Sequence, residues 1–539
     1  MNVSKNRVMF FAVLIPTALF SLFSFAQPPK ALGSPHPAPS SAPLVPTELN
    51  WRSMERDAWP STDYTRTPVE GGAAIYTLSS PETLKFKINF IFGGGVYSLK
   101  GPQERTAFGA FVDLLTLGGF GHFNFDEFEN YSNEHGISLK TSLFYSGELM
   151  VSADGLTQDF PKVLILIKDL MMRPRFDPLA LALWKQQAQD NFKSLLDANT
   201  PEKQQQFMDT TAVKLAFGPE HYFAQNLDRL SPAATGDVDL SFVKKLYQQT
   251  INRNGLNVFL SGGFSQKDLL SLKKLVEHLP SFEPAITRWL PSREPLSFQE
   301  KTPDSDKMKT EVLTQEGLTQ SNILLRYYYP HLGALSDLEE AQIAILNEVF
   351  SSTGGAIGTD RFSRALRAES GISYSPRAFF IDSAFYPESH LGEWNLSFQS
   401  PNEYLSQAVE LATKTWDNFL NQGITLEELN HARTALINRS MAVELTVFNK
   451  LDKIMAQIFL KKCVPLNPSI LELQILRYDA QQTLSSVNAL LKKLSQSHPV
   501  PVLVVFGNPN ADQIKALKKL KNIEVTALKP LKSIVKKYL

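Results

Sequence analysis

One order of strand-like and helix-like segments runs twice along this chain of 539 residues, and the repetition limits its fold more than any single motif does. In the first pass, Leu84 to Phe92 begins as strict apolar alternation and runs into Gly93, Gly94 and Gly95, as a strand ending in a tight turn would. A helix is expected from Glu104 to Leu117, with Phe108, Phe111, Val112 and Leu115 on its apolar face and Gly118-Gly119 as its stop. Ser142 to Asp154 alternates as a strand, Phe160 to Met172 has helical periodicity, Ala180 to Ala198 is a long polar-faced helix, and Asn257 to Gly262 is a short buried strand. After a proline-spaced link the order returns. Asn322 to Tyr329 is a strand, Leu338 to Phe350 a helix, Glu393 to Gln399 a strand, and Tyr404 to Gln422 and Thr425 to Ala442 are helices. Val502 to Gly507 closes this pass as Val258 to Gly262 closed the first, each ending in glycine. The likeness is of element order and not of residue identity, and it predicts a tandem pair of similar domains.

Length and charge agree with that division. A chain of 539 residues is too long for one core and suggests two to four domains. Lys plus Arg equals Asp plus Glu at 54 each, so no overall basic field favours nucleic acid, which is not expected as a partner. Cys463 is the one cysteine; it has no partner for an internal disulfide, and no Cys/His spacing supports structural zinc. Lys5 and Arg7 precede an apolar run from Val8 to Phe25, and Ser24-Phe25-Ala26 ends in the small residue a signal peptidase prefers, so residues 1–26 read as a secretory signal. An uncleaved anchor is the competing reading; without it the chain has no stable membrane span. No cysteine follows the run, which excludes a lipoprotein, and export without disulfides fits a bacterial periplasm or secretion. Residues 27–50 form a proline-rich linker. The domains are expected at 51–285 and 306–539, joined by residues 286–305.

The stretch from Thr353 to Tyr374 joins a glycine cluster, an arginine-rich helix and a tyrosine beyond a glycine stop. Gly354, Gly355 and Gly358 allow backbone angles closed to other residues, Asp360 is placed to cap, and Gly371 sits where the helix from Arg361 to Ser370 would end. Arg361, Arg364 and Arg367 lie three apart. By spacing alone they share a face, which is either a solvated cationic surface or a site for carboxylates or peptide carbonyls, and for Arg361 and Arg364 the solvated surface is the reading.

Several stretches, taken in order, resemble the insulinase/pitrilysin-like metallopeptidases. They are Leu366-Arg-Ala-Glu369 followed by Gly371-Ile-Ser-Tyr374, Gly423-Ile-Thr-Leu-Glu-Glu-Leu429, Phe217-Gly-Pro219 with His221, and Val505-Phe-Gly507, and the resemblance covers residues 51 to 535. It implies an α+β fold, a tandem pair of homologous domains, each an antiparallel sheet backed by helices, forming half a clamshell around unfolded peptide. It also implies an H-x-x-E-H zinc motif on the first main helix, where two His bind metal and the Glu activates water. At the matching positions this chain has Gly109, Val112 and Asp113, and Arg105 to Gly121 contains neither His nor Glu. The later helix that would give the third ligand reads Trp184-Lys-Gln-Gln-Ala-Gln-Asp190 and lacks the glutamate. No zinc or other cofactor is therefore expected on this chain. His122, Glu127, Glu129, Glu134 and His135 lie close in sequence but match no zinc template, and His221 reads as a packing residue.

The resemblance carries over at Arg367 and Tyr374, which match an Arg and a Tyr that hold substrate backbone and donate to the developing oxyanion. Some relatives split the labour between a zinc-bearing subunit and an Arg/Tyr subunit, and this sequence resembles the second. The expectation is an exported protein that is not catalytic by itself and supports, in trans, a zinc metalloendopeptidase. Arg367, Tyr374, Gly354 and Gly355 would hold peptide, with zinc in a homologous partner. A peptide-binding or scaffolding clamshell without chemistry, and a peptidase with an unfamiliar metal site, stay open as alternatives.

Overall fold

The computed structural model describes residues 64–96, 99, 101–144, 147–281, 307–329, 336–352, 360–381, 392–443, 447–460, 479–497 and 499–538. The expected signal, the proline-rich linker, the link at 286–305 and the glycines Gly354 and Gly355 lie outside these residues. The first six-stranded sheet has the order β1-β2-β6-β3-β5-β4. Its strands are β1 (Thr65–Val69), β2 (Ala73–Ser79), β3 (Lys85–Gly95), β4 (Ser138–Leu143), β5 (Glu148–Leu156) and β6 (Asn257–Gly262). The second sheet, β12-β7-β11-β8-β10-β9, repeats it. Its strands are β7 (Met308–Thr314), β8 (Gln320–Tyr329), β9 (Arg377–Ile381), β10 (Gly392–Pro401), β11 (Val500–Gly507) and β12 (Ile523–Pro530).

Five strands correspond in order, and the sheets differ at one margin. There the first sheet is completed by the earliest strand, antiparallel to β2, and the second by the last strand, parallel to β7. The closing strands β6 and β11 are also parallel to their β2 and β7 neighbours, and the remaining pairs are antiparallel.

Helices α1 (Pro102–Leu117), α2 (Phe125–His135), α3 (Phe160–Met172), α4 (Pro178–Leu196), α5 (Pro201–Phe217), α6 (Asn226–Leu230), α7 (Pro232–Gly236), α8 (Leu240–Thr250) and α9 (Gln266–Glu277) belong to the first half. The second half has α10 (Asp337–Phe350), α11 (Arg361–Ser363, continued by a π-helical turn over Arg364–Glu369), α12 (Leu405–Gln422), α13 (Leu426–Val443) and α14 (Val447–Leu460). It ends with α15 (Ala480–Gln496), α16 (Ala511–Lys518) and α17 (Leu531–Tyr538).

The two-residue period of each central strand decides what each sheet face meets. On β3, Phe86, Ile88, Phe90 and Phe92 enter the core under α1, α3, α8 and α9, while Ile91 turns to the opposite face and meets Leu451, Ile454 and Met455 of α14. On β8, Ile323, Leu325, Tyr327 and Tyr329 enter the second core, and Leu324 and Tyr328 meet Phe207, Met208 and Ala212 of α5. Each half therefore lends one helix to the back of the other half's sheet. Each loan is also pinned by charge: Lys87 Nζ of β3 lies 2.7 Å from Asp452 of α14, and Arg326 of β8 pairs with Asp209 of α5.

Two expectations change, and one segment without an assignment proves helical. The strand expected over Ser142 to Asp154 is a hairpin, in which Phe144 N–H donates to the Glu148 carbonyl and Gly147 N–H to the Phe144 carbonyl. Alternation on both sides of a short turn looks continuous in sequence, so it hides the reversal. The segment after α1 is an eleven-residue helix, α2, with a capping box between Asn124 and Glu127 and Gly136 as a left-handed stop. Finally, α1 is buried nearly all round, not on one face, because α4, α6, α7 and α8 pack against it as well as the sheet.

Candidate functional site

Gly371 sets the geometry of the arginine-rich segment. Asp360 caps α11 by accepting from Ser363 N–H at 2.7 Å, and Phe362 and Leu366 anchor the helix in the second core, Phe362 stacking on Phe350 at 5.3 Å. Gly371 then takes φ +66°, a left-handed conformation costly for other residues, while its N–H donates to the Arg367 carbonyl and Ser373 N–H donates to the Leu366 carbonyl. These bonds fold the chain back on the helix end. Tyr374 consequently lies over Arg367, the guanidinium carbon 4.1 Å from the ring centroid, and stays 75% exposed. Arg367 is half-buried. An exposed tyrosine hydroxyl beside a guanidinium places two kinds of donor, one charged, at a single surface point.

The three arginines do not share a role. Arg361 was expected on a solvated face. Instead its Nε and Nη2 bind Glu428 Oε1 and Oε2 at 2.7 and 2.8 Å, and Nη2 also donates to the Gly423 carbonyl at 2.7 Å. The start of the helix points into α12 and α13, and the π-helical turn that follows redirects the later positions, so only Arg364 and Arg367 face outward.

Glu428 also closes a capping box, its Oε2 accepting from Thr425 N–H at 2.8 Å. Gly423, at φ +71°, lies where a side chain would strike Asn488 Oδ1, and that amide exchanges two hydrogen bonds with the Ile424 backbone. The Gly423-to-Leu429 stretch therefore fixes the arginine helix against its neighbours. We expect Glu428→Ala to lower stability by about 1–2 kcal/mol through the lost cap and ion pair, and Glu427→Ala to change it by less than about 0.5 kcal/mol, as read by melting curves.

The first half presents a different arrangement at the positions where the resemblance implies zinc. Gly109 is half-exposed with nothing within 4 Å of where a side chain would start, and Val112 is buried among apolar groups. Asp113 is buried and accepts from Trp184 Nε1 at 2.8 Å, which joins α1 to α4. Burial pushes the Asp113 carboxyl up to about 7, against a smaller downward pull from the indole N–H. These residues do not fit zinc: one position has no donor, one is apolar, and the carboxylate is used by the indole.

Among the described residues no three His, Cys, Asp or Glu come together as a metal site. Glu127 is taken by its cap, and His135 Nδ1 lies 2.9 Å from the Tyr131 carbonyl with its ring stacked on Tyr131. His221 behaves as a packing residue. It caps the turn Tyr222–Gln225, rests 5.0 Å from Phe217, and is held down to about 4 by burial and by Arg105. Phe217 in turn meets Tyr328 of the second sheet at 4.8 Å.

The comparisons match this picture. The family model described as the peptidase M16 inactive domain matches residues 237–436, a span that includes Arg367 and Tyr374. The peptidase M16 inactive domain from Pseudomonas fluorescens superposes with a TM-score of 0.65 at 15% identity, over 83% of this chain and 99% of that one. A protease from Helicobacter pylori gives 0.62 at 14%, over 82% and 99%. The periplasmic protease PqqL from Escherichia coli gives 0.61 at 16%, over 84% of this chain and 46% of PqqL, so the chain spans about half of that protein. No curated protein matches the sequence. At these identities the solved structures establish the fold, and residues 237–436, which carry the arginine helix, match the peptidase M16 inactive domain, while the first helix of the chain lacks the zinc motif.

Proposed function

We propose that this chain is an exported, substrate-holding subunit that completes a metallopeptidase chamber with a zinc-bearing homologue. The observation that carries the proposal is the Arg367–Tyr374 pair, stacked at 4.1 Å with the ring exposed, on a chain whose α1 and α4 are joined by Asp113 and Trp184 instead of metal ligands. In the assembly the partner supplies zinc, which polarises the scissile carbonyl and activates water. Tyr374 O–H donates to the oxygen on which charge develops, and Arg367 donates to peptide carbonyls, so that the extended substrate is held in register. Gly354 and Gly355 belong to the proposed peptide-holding set. Export to a periplasm fits the apolar run from Val8 to Phe25, and among the described residues no helix is long and apolar enough to cross a membrane.

The test is peptide cleavage by the chain alone and by the chain with a zinc-bearing homologue, each with and without chelator. Cleavage is expected only from the pair and is abolished by chelator. Chelator-sensitive cleavage by the chain alone would defeat the proposal. In the assembled pair, Tyr374→Phe is expected to lower turnover by about 10²–10³-fold, the loss of one oxyanion donor, while the complex still forms on a sizing column. Unchanged turnover in that variant would leave a peptide-holding clamshell without chemistry.

A further inference from the structure

The charge of the chain is zero only as a total. From Ala511 to Leu539 there are eight lysines, no arginine and two carboxylates, a net +6 against −6 for everything before it. The fold gathers this charge on one margin. β12 is the last strand of the second sheet and pairs with β7 on one side only. On one face of the margin, α16 packs through Leu517 into the second core; on the other, α17 packs through Leu531, Ile534, Val535 and Tyr538 onto the back of the sheet. Lysines therefore flank the strand from both faces. Lys529, Lys532 and Lys537 are paired with Glu311, Glu316 and Asp228 at 2.8, 3.2 and 2.8 Å. Lys515, Lys518, Lys519, Lys521 and Lys536 are exposed and have no ion-pair partner among the described residues. In the middle of the rim Leu528 is 51% exposed.

A basic sheet margin invites three occupants. Addition of an acidic strand is disfavoured, because β12 carries a bulge between Val525 and Ala527 and ends at Pro530, which has no N–H to give. Specific phosphate recognition would call for arginine forks, and the segment has none. Lysine ammonium groups act as hydrated point charges suited to the diffuse potential of an anionic bilayer, and an exposed leucine among them can enter the headgroup layer. We propose that the β12 rim is an electrostatic docking surface for anionic lipid membranes. It is independent of the Arg367–Tyr374 site, and the partner subunit is not needed for it.

The full chain should be partitioned onto phosphatidylglycerol-containing and purely phosphatidylcholine vesicles. The run from Val8 to Phe25, with Lys5 and Arg7, is common to every variant, so the quantity read is the anionic-to-zwitterionic ratio. Each lysine near an anionic surface contributes about fivefold to binding, so replacing Lys515, Lys518, Lys519, Lys521 and Lys536 by Gln should lower the ratio by at least about tenfold. Raising salt from about 50 to about 500 mM should lower the wild-type ratio in the same way. Lys→Arg at the same five positions should retain binding, and Lys267→Gln with Lys274→Gln on α9 should not affect it. An equal partition on both vesicles, or a Gln variant with the wild-type ratio and an unchanged melting temperature, overturns the assignment. Binding of poly-glutamate without any vesicle preference also overturns it, in favour of an acidic protein partner.

Discussion

Asp113→Asn is expected to stabilise the chain at about pH 8 by about 4 kcal/mol and to change it little near pH 4. The carboxyl is buried against α4 and held at about 7, well above its ordinary value of 3.8, so the folded state keeps a proton that the unfolded state releases. A raised folded value gives stability that is full below the unfolded value and is lost as pH rises through the folded one. The window of loss is therefore about pH 4 to pH 7, falling by about 1.4 kcal/mol per unit. Asparagine keeps the oxygen that accepts from Trp184 Nε1, at 2.8 Å in the wild type, and has no charge to bury. Melting curves across this window would show a descending wild-type stability and a flatter variant. Parallel curves for the two proteins would rule out Asp113 as the source. At the same position an indole–carboxyl bond ties α1 to α4.

Arg326→Met is expected to cost about 3–5 kcal/mol, because it strips a buried cation from between two half-buried acids and leaves their charge uncompensated. The Arg326 side chain is 8% exposed, pairs with Asp209 of α5 and donates to Tyr328 Oη at 3.2 Å. Glu393 on neighbouring β10 is half-buried, its carboxyl pushed up by desolvation and pulled back by Arg326. Without the guanidinium, Asp209 and Glu393 repel each other across the seam between the halves, and α5 loses its polar fastening to the second sheet. The reciprocal seam offers a control. Lys87 and Asp452 are 28% and 46% exposed, so Lys87→Met should cost less than about 1 kcal/mol. Denaturant titrations of the two variants distinguish the cases, and equal losses would contradict a special role for burial at Arg326. Adding Asp209→Leu to Arg326→Met should recover part of the loss, since it removes one of the two stranded acids.

Legibility in the sequence followed the distance over which each feature acts. Asp360 as a cap, Gly371 as a left-handed stop and the strand Asn257–Gly262 were all readable, because caps, stops and alternation act within a few residues. Strands β1, β2, β7, β9 and β12 were not. β2 is buried along nearly its whole length and shows no alternation, while β1 and β12 are margins whose outer residues are free of core constraint. Arg361 had looked solvated because its partner Glu428 is 67 residues away, and nothing in an i, i+3 spacing points to it.

Element order by itself determined a tandem pair of similar domains and residue identity determined that α1 has no zinc motif, since neither needs a partner to be read; the α+β architecture was what the resemblance implied. It also marked Arg367 and Tyr374 as a pair across a glycine stop. Only the tertiary structure decided that Tyr374 lies on Arg367, that Asp113 meets Trp184, that each half lends a helix to the other's sheet, and that lysines from two helices flank one strand. Each of these is a contact between segments that pack together only when the sheets form, and their energies come from burial, which no local pattern encodes.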